Sequence, residues 1–165
     1  MKFELKNIKF YESMSEETNC FQADLFINGK KIAYVKNTGQ GGSTDYHVHD
    51  FKLQSVLREA EEFCLTLPKE KISDTFDFQP TLESKIDELF EQWLKAKGDK
   101  KFLKDMEKGL MYGNKYSYTI ITWKYPIKTL LSMQQGREII RKKIIQLRVE
   151  EETILNTNIP QELFN

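Results

Sequence analysis

Both histidines of the chain lie in one short stretch, VKNTGQGGSTDYHVHD, which also holds three of its eight glycines. On a β-strand alternate side chains share a face, so Asp45, His47 and His49 would point the same way. Two imidazoles and a carboxylate can bind one transition-metal ion. The chain has no third histidine, so further ligands would have to be carboxylates or water. We therefore assign no metal ligand and no cofactor, and keep a small metal-dependent or phosphate-handling enzyme centred on these three residues as the alternative function.

The glycines suggest a second chemistry, because a glycine-rich backbone can turn its N–H groups toward an anion. Ser43 and Thr44 would add hydroxyl donors. The sequence NTGQGGST, however, matches neither the GxxxxGK[ST] of a P-loop nor a GxGxxG that opens a helix. No GxSxG turn is present to expose a nucleophilic serine. With no complete catalytic constellation, the sequence indicates a non-enzymatic protein, and we assign no catalytic residue.

A polar loop held between two strands is well placed to bind a partner, because a rigid sheet positions side chains that have no duty in the core. Gln40, Ser43 and Thr44 fit this description, being small or polar and flanked by glycines. We assign partner or ligand binding to Asn37, Gly39, Gln40, Gly41, Gly42, Ser43, Thr44, Asp45, Tyr46, His47 and His49.

Nucleic-acid binding ranks third among the functions, because the formal net charge is zero. The charge is mildly asymmetric: residues 1–98 have 13 basic and 17 acidic groups, and residues 99–165 have 12 and 8. Arg137, Arg141 and Arg148 share roughly one face of a predicted C-terminal helix and could contact phosphates. The stretch KYSYTIITWKY also alternates aromatic and basic residues, as stacking platforms do.

The elements that position the loop are predicted strands. Period-two patterns in KFELKNIKFY, CFQADLFI, KKIAYVKN and DYHVHDF indicate a three- to four-stranded antiparallel meander. A slip in phase near Asn7 predicts a β-bulge. Asn28 and Gly29 predict a type I′ hairpin turn, which requires positive φ at both positions.

Helices follow the strands. Pro68 ends the first predicted helix, LQSVLREAEEFCLTL, which Asp50 could cap. The connection KEKISDTFDFQP has two phenylalanines that are expected to tie it to the body. The second predicted helix is capped by Thr81 and stopped at Gly98, and a short third helix runs from Asp99 to Gly109. A strand is predicted over Tyr116–Tyr125.

A long final helix is predicted from a Ser132–Gln135 capping box to about Leu155. Its inward-facing residues are Ile139, Ile140, Ile144, Leu147 and Ile154.

The fold class that follows is α+β: an N-terminal antiparallel meander covered by about four helices, with one additional late strand whose placement the sequence leaves open. We predict a single domain, 1–165, that is β-rich over 1–51 and mostly helical over 52–165. Cys20 and Cys64 should be buried thiols, and no apolar run is long enough for a membrane span, so a cytoplasmic protein is expected. The predicted core includes Phe21, Leu25, Val56, Leu57, Phe63, Trp93 and Ile144.

A resemblance adds context to the loop. The segment FQADLFINGKKIAYVKNTGQGGSTDY, about residues 21–50, resembles a group of small bacteriophage and mobile-element proteins in which an Asn-Gly hairpin leads to an N-x-G-x-G-G loop followed by an aromatic residue. The matching positions are Asn28, Gly29, Asn37, Gly39, Gly41, Gly42 and Tyr46. The resemblance implies a protein that acts by binding a host protein or a small nucleotide signal, to counter host defence. The oligomeric state is not determined by the sequence, and a homo-oligomer is one possibility.

Overall fold

The computed structural model describes all 165 residues, which form two compact units, Met1–Leu94 and Lys95–Asn165. The elements of the first unit are β1 (Phe3–Phe10), β2 (Phe21–Ile27), β3 (Lys30–Asn37), β4 (Asp45–Val48), α1 (Gln54–Leu65), β5 (Glu70–Lys71) and β6 (Asp77–Phe78). A long helix, α2 (Leu82–Lys108), begins in this unit and continues into the second. The second unit also contains β7 (Gly109–Gly113), β8 (Tyr118–Thr122), α3 (Ile127–Leu131) and α4 (Gln134–Val149). The predicted α+β class is confirmed.

The first four strands form the predicted antiparallel meander in the order β1-β2-β3-β4. The pairing of β1 with β2 shifts register between Lys6 and Lys9, where Asn7 has a φ of 54°. The predicted bulge is therefore present, and the Asn7 side chain donates a 2.8 Å hydrogen bond to Asp24 on β2. The bulge keeps apolar side chains on the inner face at both ends of β1.

The hairpin turn between β2 and β3 is also as predicted. Asn28 has a φ of 50° and Gly29 a φ of 82°, so both central residues are in the left-handed region that a type I′ turn requires. The Asn28 Oδ1 accepts a 2.9 Å hydrogen bond from the backbone N–H of Lys2. This bond ties the turn to the start of the chain.

Helices cover one face of the sheet and bury the first core. The Thr81 hydroxyl accepts a hydrogen bond from the Ser84 N–H, which confirms Thr81 as the N-cap of α2. Of the predicted core residues in this unit, Phe21, Leu25 and Leu57 are buried, whereas Val56, Phe63 and Trp93 are partly buried and pack around them. Cys20 and Cys64 are buried free thiols, as predicted.

The prediction that Gly98 stops one helix and Asp99 starts another is wrong, because α2 is continuous through both residues. Glycine in a helix interior costs only about 1 kcal/mol relative to alanine, which good helix formers on either side can offset. The Asp99 side chain forms a salt bridge with Lys115 at 2.8 Å instead of capping a helix.

The late strand lies where the sequence predicts it, but the strand with which it pairs is not predicted. β8 pairs with β7 in a separate two-stranded antiparallel sheet, and β7 begins at Gly109, where the sequence predicts only the end of a short helix. The pairing places Leu110 and Met111 in the interior, where both are fully buried. The strand therefore joins neither edge of the N-terminal meander.

The final helix is shorter than predicted. The Ser132 hydroxyl donates to the carbonyl of Thr129 at 2.7 Å, so no Ser132–Gln135 capping box forms and Met133 is the N-cap residue. The helix ends at Val149, and Glu151 adopts a left-handed φ of 59°. Within the predicted inner stripe, Ile140, Ile144 and Leu147 are buried in the second core and Ile154 packs against it, but Ile139 is exposed.

The connection between α1 and α2 forms a small hairpin of β5 and β6. Phe78 is partly buried there, whereas Phe76 is exposed, so the expectation that both phenylalanines anchor this segment is wrong for Phe76. Asp50 caps a single 3-10 turn before α1, since its side chain accepts from the Lys52 N–H. No helix combines the length and the apolar character needed to cross a bilayer.

Leu57→Ala should lower the free energy of unfolding by roughly 2–5 kcal/mol, because a buried leucine loses its transfer energy and leaves a cavity. Leu57 is 4% exposed and packs in the core between α1 and the sheet. Urea unfolding measures the loss, with Leu65→Ala as control, since Leu65 is exposed on the same helix. Equal effects of the two changes would contradict this packing.

Gly29→Val should lower the melting temperature, because a β-branched residue at a φ of 82° is strained. A Cβ at this position would meet no atom within 4 Å, so we attribute the loss to backbone strain. Gly29→Asn is the control, because asparagine tolerates the left-handed region. A valine variant as stable as the asparagine variant would argue against the type I′ geometry.

Candidate functional site

The glycine loop between β3 and β4 packs onto the segment that follows β1. The carbonyl oxygen of Gly39 accepts hydrogen bonds from the N–H groups of Glu16, Glu17 and Thr18 at 2.9, 3.0 and 3.3 Å. Gly39 has a φ of 86°, and a Cβ there would lie 2.3 Å from the carbonyl oxygen of Met14. Only glycine fits this backbone conformation and this close approach. The glycine at position 39 therefore has a structural role.

The side-chain amide of Asn37 organises the loop. Its Oδ1 accepts hydrogen bonds from the Thr18 hydroxyl and the Gly39 N–H, both at 2.9 Å. Its Nδ2 donates to the Gly42 carbonyl at 3.2 Å and to the Thr44 Oγ1 at 3.0 Å. All four hydrogen-bonding positions of this buried amide are thus filled. Asn37 joins the β1–β2 connection to both ends of the glycine loop.

Thr44 links the loop to α2. Its hydroxyl donates a 2.6 Å hydrogen bond to the Asp87 carboxylate, and its backbone N–H donates to Glu83 at 2.9 Å. Thr44 is only 3% exposed, so the prediction that it has no duty in the fold is wrong. Gln40 and Ser43 are exposed, as expected for loop tips. No local pattern indicates this difference, because the partners of Thr44 lie about forty residues further along the chain.

A cleft of about 280 Å³ opens between the loop, the β1–β2 connection and the first half of α2. Four carboxylates line it, and no lysine, arginine or histidine does. We call it the acidic cleft; its lining residues are Glu17, Thr18, Asn19, Phe21, Asn37, Gly42, Thr44, Glu83, Asp87, Phe90 and Glu91. Phe21 and Phe90 stack with ring centroids 3.9 Å apart, which gives the cleft an apolar side. Of the predicted binding residues, Asn37, Gly42 and Thr44 lie in it.

Asp87 is a half-buried carboxylate of the cleft. Burial raises its pKa above the ordinary aspartate value, and the negative charges of Glu83 and Glu91 raise it further. The hydrogen bond from Thr44 acts in the opposite direction. The charged form of Asp87 is therefore held at a cost that a cation in the cleft would reduce.

Sequence reasoning missed the carboxylates of α2, although the sequence contains a signal for them. Glu83, Asp87 and Glu91 recur at i, i+4 and i+8, which places three like charges in a column on one helix face. Such a column is destabilising for an isolated helix, whereas oppositely charged neighbours are favourable. An unexplained like-charge column is thus a cue to a cation-binding surface.

The structure does not bring Asp45, His47 and His49 together as a ligand set. Asp45 and His47 are exposed on β4, which ends at Val48, one residue before His49. The Nδ1 of His49 lies 3.0 Å from the carbonyl oxygen of Ile32. No group of three or more His, Cys, Asp or Glu side chains is arranged to hold a metal ion. None of these three residues lines the acidic cleft.

Tyr46 points to the opposite side of β4 and packs against the first core. Its hydroxyl donates a 3.1 Å hydrogen bond to Glu61 on α1. Burial, followed by the hydrogen bond to Glu61, raises the pKa of Tyr46 to about 12. Tyr46 therefore stays neutral at physiological pH and fastens β4 to α1, and it does not line the acidic cleft.

The loop offers few free N–H groups to a phosphate. The N–H groups of Gly39, Gly41 and Thr44 donate to the side chains of Asn37, Thr18 and Glu83, respectively. An anion-binding concavity needs such groups unoccupied and directed at the ligand. Instead of free N–H groups, the end of the loop has the carboxylates of Glu83 and Asp87 beside it.

The arginines of α4 are also engaged. Arg141 donates to the carbonyl oxygen of Asn165 at 2.7 Å, Arg148 donates to that of Phe164, and Arg137 forms a salt bridge with Glu162. The C-terminal segment therefore occupies the three guanidinium groups that the sequence had indicated for nucleic acid.

Comparison with known proteins gives no relative: no protein-family model, no curated protein and no solved structure matches the chain. Functional inference rests on the site itself.

Thr44→Val should lower the free energy of unfolding by about 1–3 kcal/mol, because it leaves polar atoms of Asn37 and Asp87 without their partner. Gln40→Ala and Ser43→Ala are the controls, and each should change it by less than about 0.5 kcal/mol. Urea unfolding separates the two cases. A Thr44→Val variant as stable as the controls would refute the structural role of this hydroxyl.

Asp87→Asn should raise the melting temperature at pH 7. The folded-state pKa of Asp87 is raised, so the folded protein binds its proton more tightly than the unfolded chain and loses stability as pH rises through that pKa. The asparagine variant avoids this loss and keeps an oxygen for Thr44. Its advantage should shrink as pH falls toward 4. Asp45→Asn, an equal charge change on an exposed residue, should show no such pH-dependent gain; an equal gain would contradict the raised pKa.

Proposed function

We propose that the chain is a non-enzymatic binding protein whose acidic cleft accepts a basic side chain of a partner protein. The observation that carries this proposal is the lining of the cleft, with four carboxylates and no basic group. A guanidinium or ammonium group placed there would relieve the repulsion among these charges. It would also favour the ionised form of Asp87, whose pKa is raised by burial and by its acidic neighbours.

The size of the cleft favours a side chain over a whole small molecule. Its volume of about 280 Å³ lies at the lower limit of sites for drug-sized ligands. Arginine suits it best, because a planar guanidinium can pair with two carboxylates through its fork of N–H donors. Glu83 and Asp87 are one helical turn apart and both bond to Thr44, so they are held in place for such a pair.

Charge also discriminates between the two partner classes that the loop resemblance implies. A nucleotide signal would bring phosphates toward Glu17, Glu83, Asp87 and Glu91, and like charges at close range oppose binding. A host protein that presents an arginine or lysine would bring a positive charge toward the same carboxylates, and this attraction favours binding. We therefore favour a host protein as the partner.

The bacteriophage-like motif supports this proposal because part of it lines the acidic cleft. Asn37 and Gly42, two motif residues, line the cleft, and Gly39 fixes the loop to the β1–β2 connection. In a small phage protein, the acidic cleft would serve to bind a host defence protein. Defence inhibition is thus the biological role that we propose.

The test uses N-acetyl-arginine amide as the probe, with amide chemical shifts of the ¹⁵N-labelled protein as the readout. We expect shifts centred on Gly42, Thr44 and Asp87, with millimolar affinity for so small a ligand. Cyclic nucleotides and ATP should leave these resonances unchanged. Asp87→Asn should weaken binding by at least tenfold.

The matched control is Asp45→Asn, which removes one negative charge outside the cleft and should change the affinity less than twofold. An equal loss of affinity in both variants would mean that binding of the arginine amide depends only on the net charge of the protein. Shifts at the loop with ATP and none with the arginine amide would contradict the proposal and restore a nucleotide ligand.

A further inference from the structure

The second half of α2 has a face of lysines. Within it, lysines recur at intervals of three and four residues, so they lie on one side of the helix. We call this the lysine face; it consists of Lys97, Lys100, Lys101, Lys104 and Lys108, all exposed. Residues 95–165 contain 14 basic and 8 acidic groups, a formal net charge of +6 that balances −6 over residues 1–94.

Little in the fold neutralises the centre of this face. Lys108 forms a salt bridge with Asp105 at 2.5 Å, but Lys100, Lys101 and Lys104 form none. Like charges at i, i+4 each destabilise a helix by a few tenths of a kcal/mol, and an exposed Gly98 within the same stretch weakens it further. A bound polyanion would remove the repulsion.

A groove adjoins the end of the lysine face. It has a volume of about 740 Å³, and Lys104, Lys108 and Lys124 line it together with one carboxylate, Glu107, and the half-buried Trp123. Tyr125, the next residue, is 47% exposed, and the ammonium of Lys124 lies 5.7 Å from the centre of its ring. Basic groups and accessible aromatic rings therefore occur side by side.

We infer that the lysine face and this groove bind single-stranded nucleic acid. The lysines would contact consecutive phosphates along a helix span of about 16 Å, and an unpaired base would stack on Trp123 in the groove or on the neighbouring Tyr125. Bases in a duplex are already stacked and would not reach these rings, so a single strand fits better than a duplex. Electrostatic binding of this kind needs no sequence preference.

This surface keeps the end of the aromatic stretch that the sequence suggested, Trp123 to Tyr125, but combines it with lysines of α2 in place of the arginines of α4. The arginines of α4 are engaged by the C-terminal segment, whereas the central lysines of α2 are exposed and form no salt bridge. The inference does not depend on the acidic cleft, since no residue is shared between the two sites. One can fail without the other.

The experiment measures fluorescence anisotropy of a labelled 20-nucleotide oligothymidylate titrated with the intact protein at several salt concentrations. We expect micromolar affinity at 50 mM salt and a linear fall of log K with log salt. The variant Lys100→Gln, Lys101→Gln, Lys104→Gln should bind at least tenfold more weakly. Its salt slope should be smaller by about 2, from roughly 0.7 per lost phosphate contact.

Two controls keep the result specific. The variant Lys9→Gln, Lys30→Gln, Lys69→Gln has the same charge change on exposed lysines of the first unit and should bind within about twofold of the wild type. Tyr125→Ala should weaken oligothymidylate binding but leave heparin binding unchanged. Neither lysine variant should melt at a lower temperature than the wild type.

Three results would overturn the inference. The first is no binding at 50 mM salt, and the second is equal loss in the two lysine variants. The third is equal affinity for oligothymidylate, duplex DNA and heparin with no effect of Tyr125→Ala, which would indicate a general polyanion surface without base stacking.

Discussion

The buried amide of Asn37 is the constraint on which the candidate site depends. One side chain bonds the β1–β2 connection, both halves of the glycine loop and the hydroxyl of Thr44. Thr44 in turn bonds Asp87 on α2, so a continuous chain of hydrogen bonds runs from the sheet to the helix. Because each buried polar atom in this network has a partner, replacing any one would leave another unpaired. The loop is thereby held as a fixed wall of the acidic cleft.

This arrangement explains why glycines concentrate in the loop. The loop approaches the β1–β2 connection so closely that the Gly39 carbonyl meets three backbone N–H groups, and a Cβ at that position would collide with Met14. The glycine signal in the sequence is therefore structural, and the charges of the proposed site come from carboxylates outside the motif. A motif can mark the scaffold of a site while the functional charges lie elsewhere in the chain.

The N-terminal sheet could be predicted because its signals are local. Asn28-Gly29 sets its own turn, and the phase slip at Asn7 is visible within one strand. The continuity of α2 could not be predicted, since Gly98 followed by Asp99 resembles a helix stop and a new cap until packing and neighbouring helix formers outweigh both. The burial of Thr44 was equally hidden, because it depends on Glu83 and Asp87, which are distant in sequence.

An NMR titration of the Asp87 side-chain carboxyl with and without N-acetyl-arginine amide tests whether the acidic cleft binds a cationic group. We expect a pKa above the ordinary aspartate value of about 3.9 in the free protein and a lower pKa with the ligand, because a cation favours the ionised form. An ordinary pKa in the free protein, or a raised pKa that saturating ligand leaves unchanged, would contradict it.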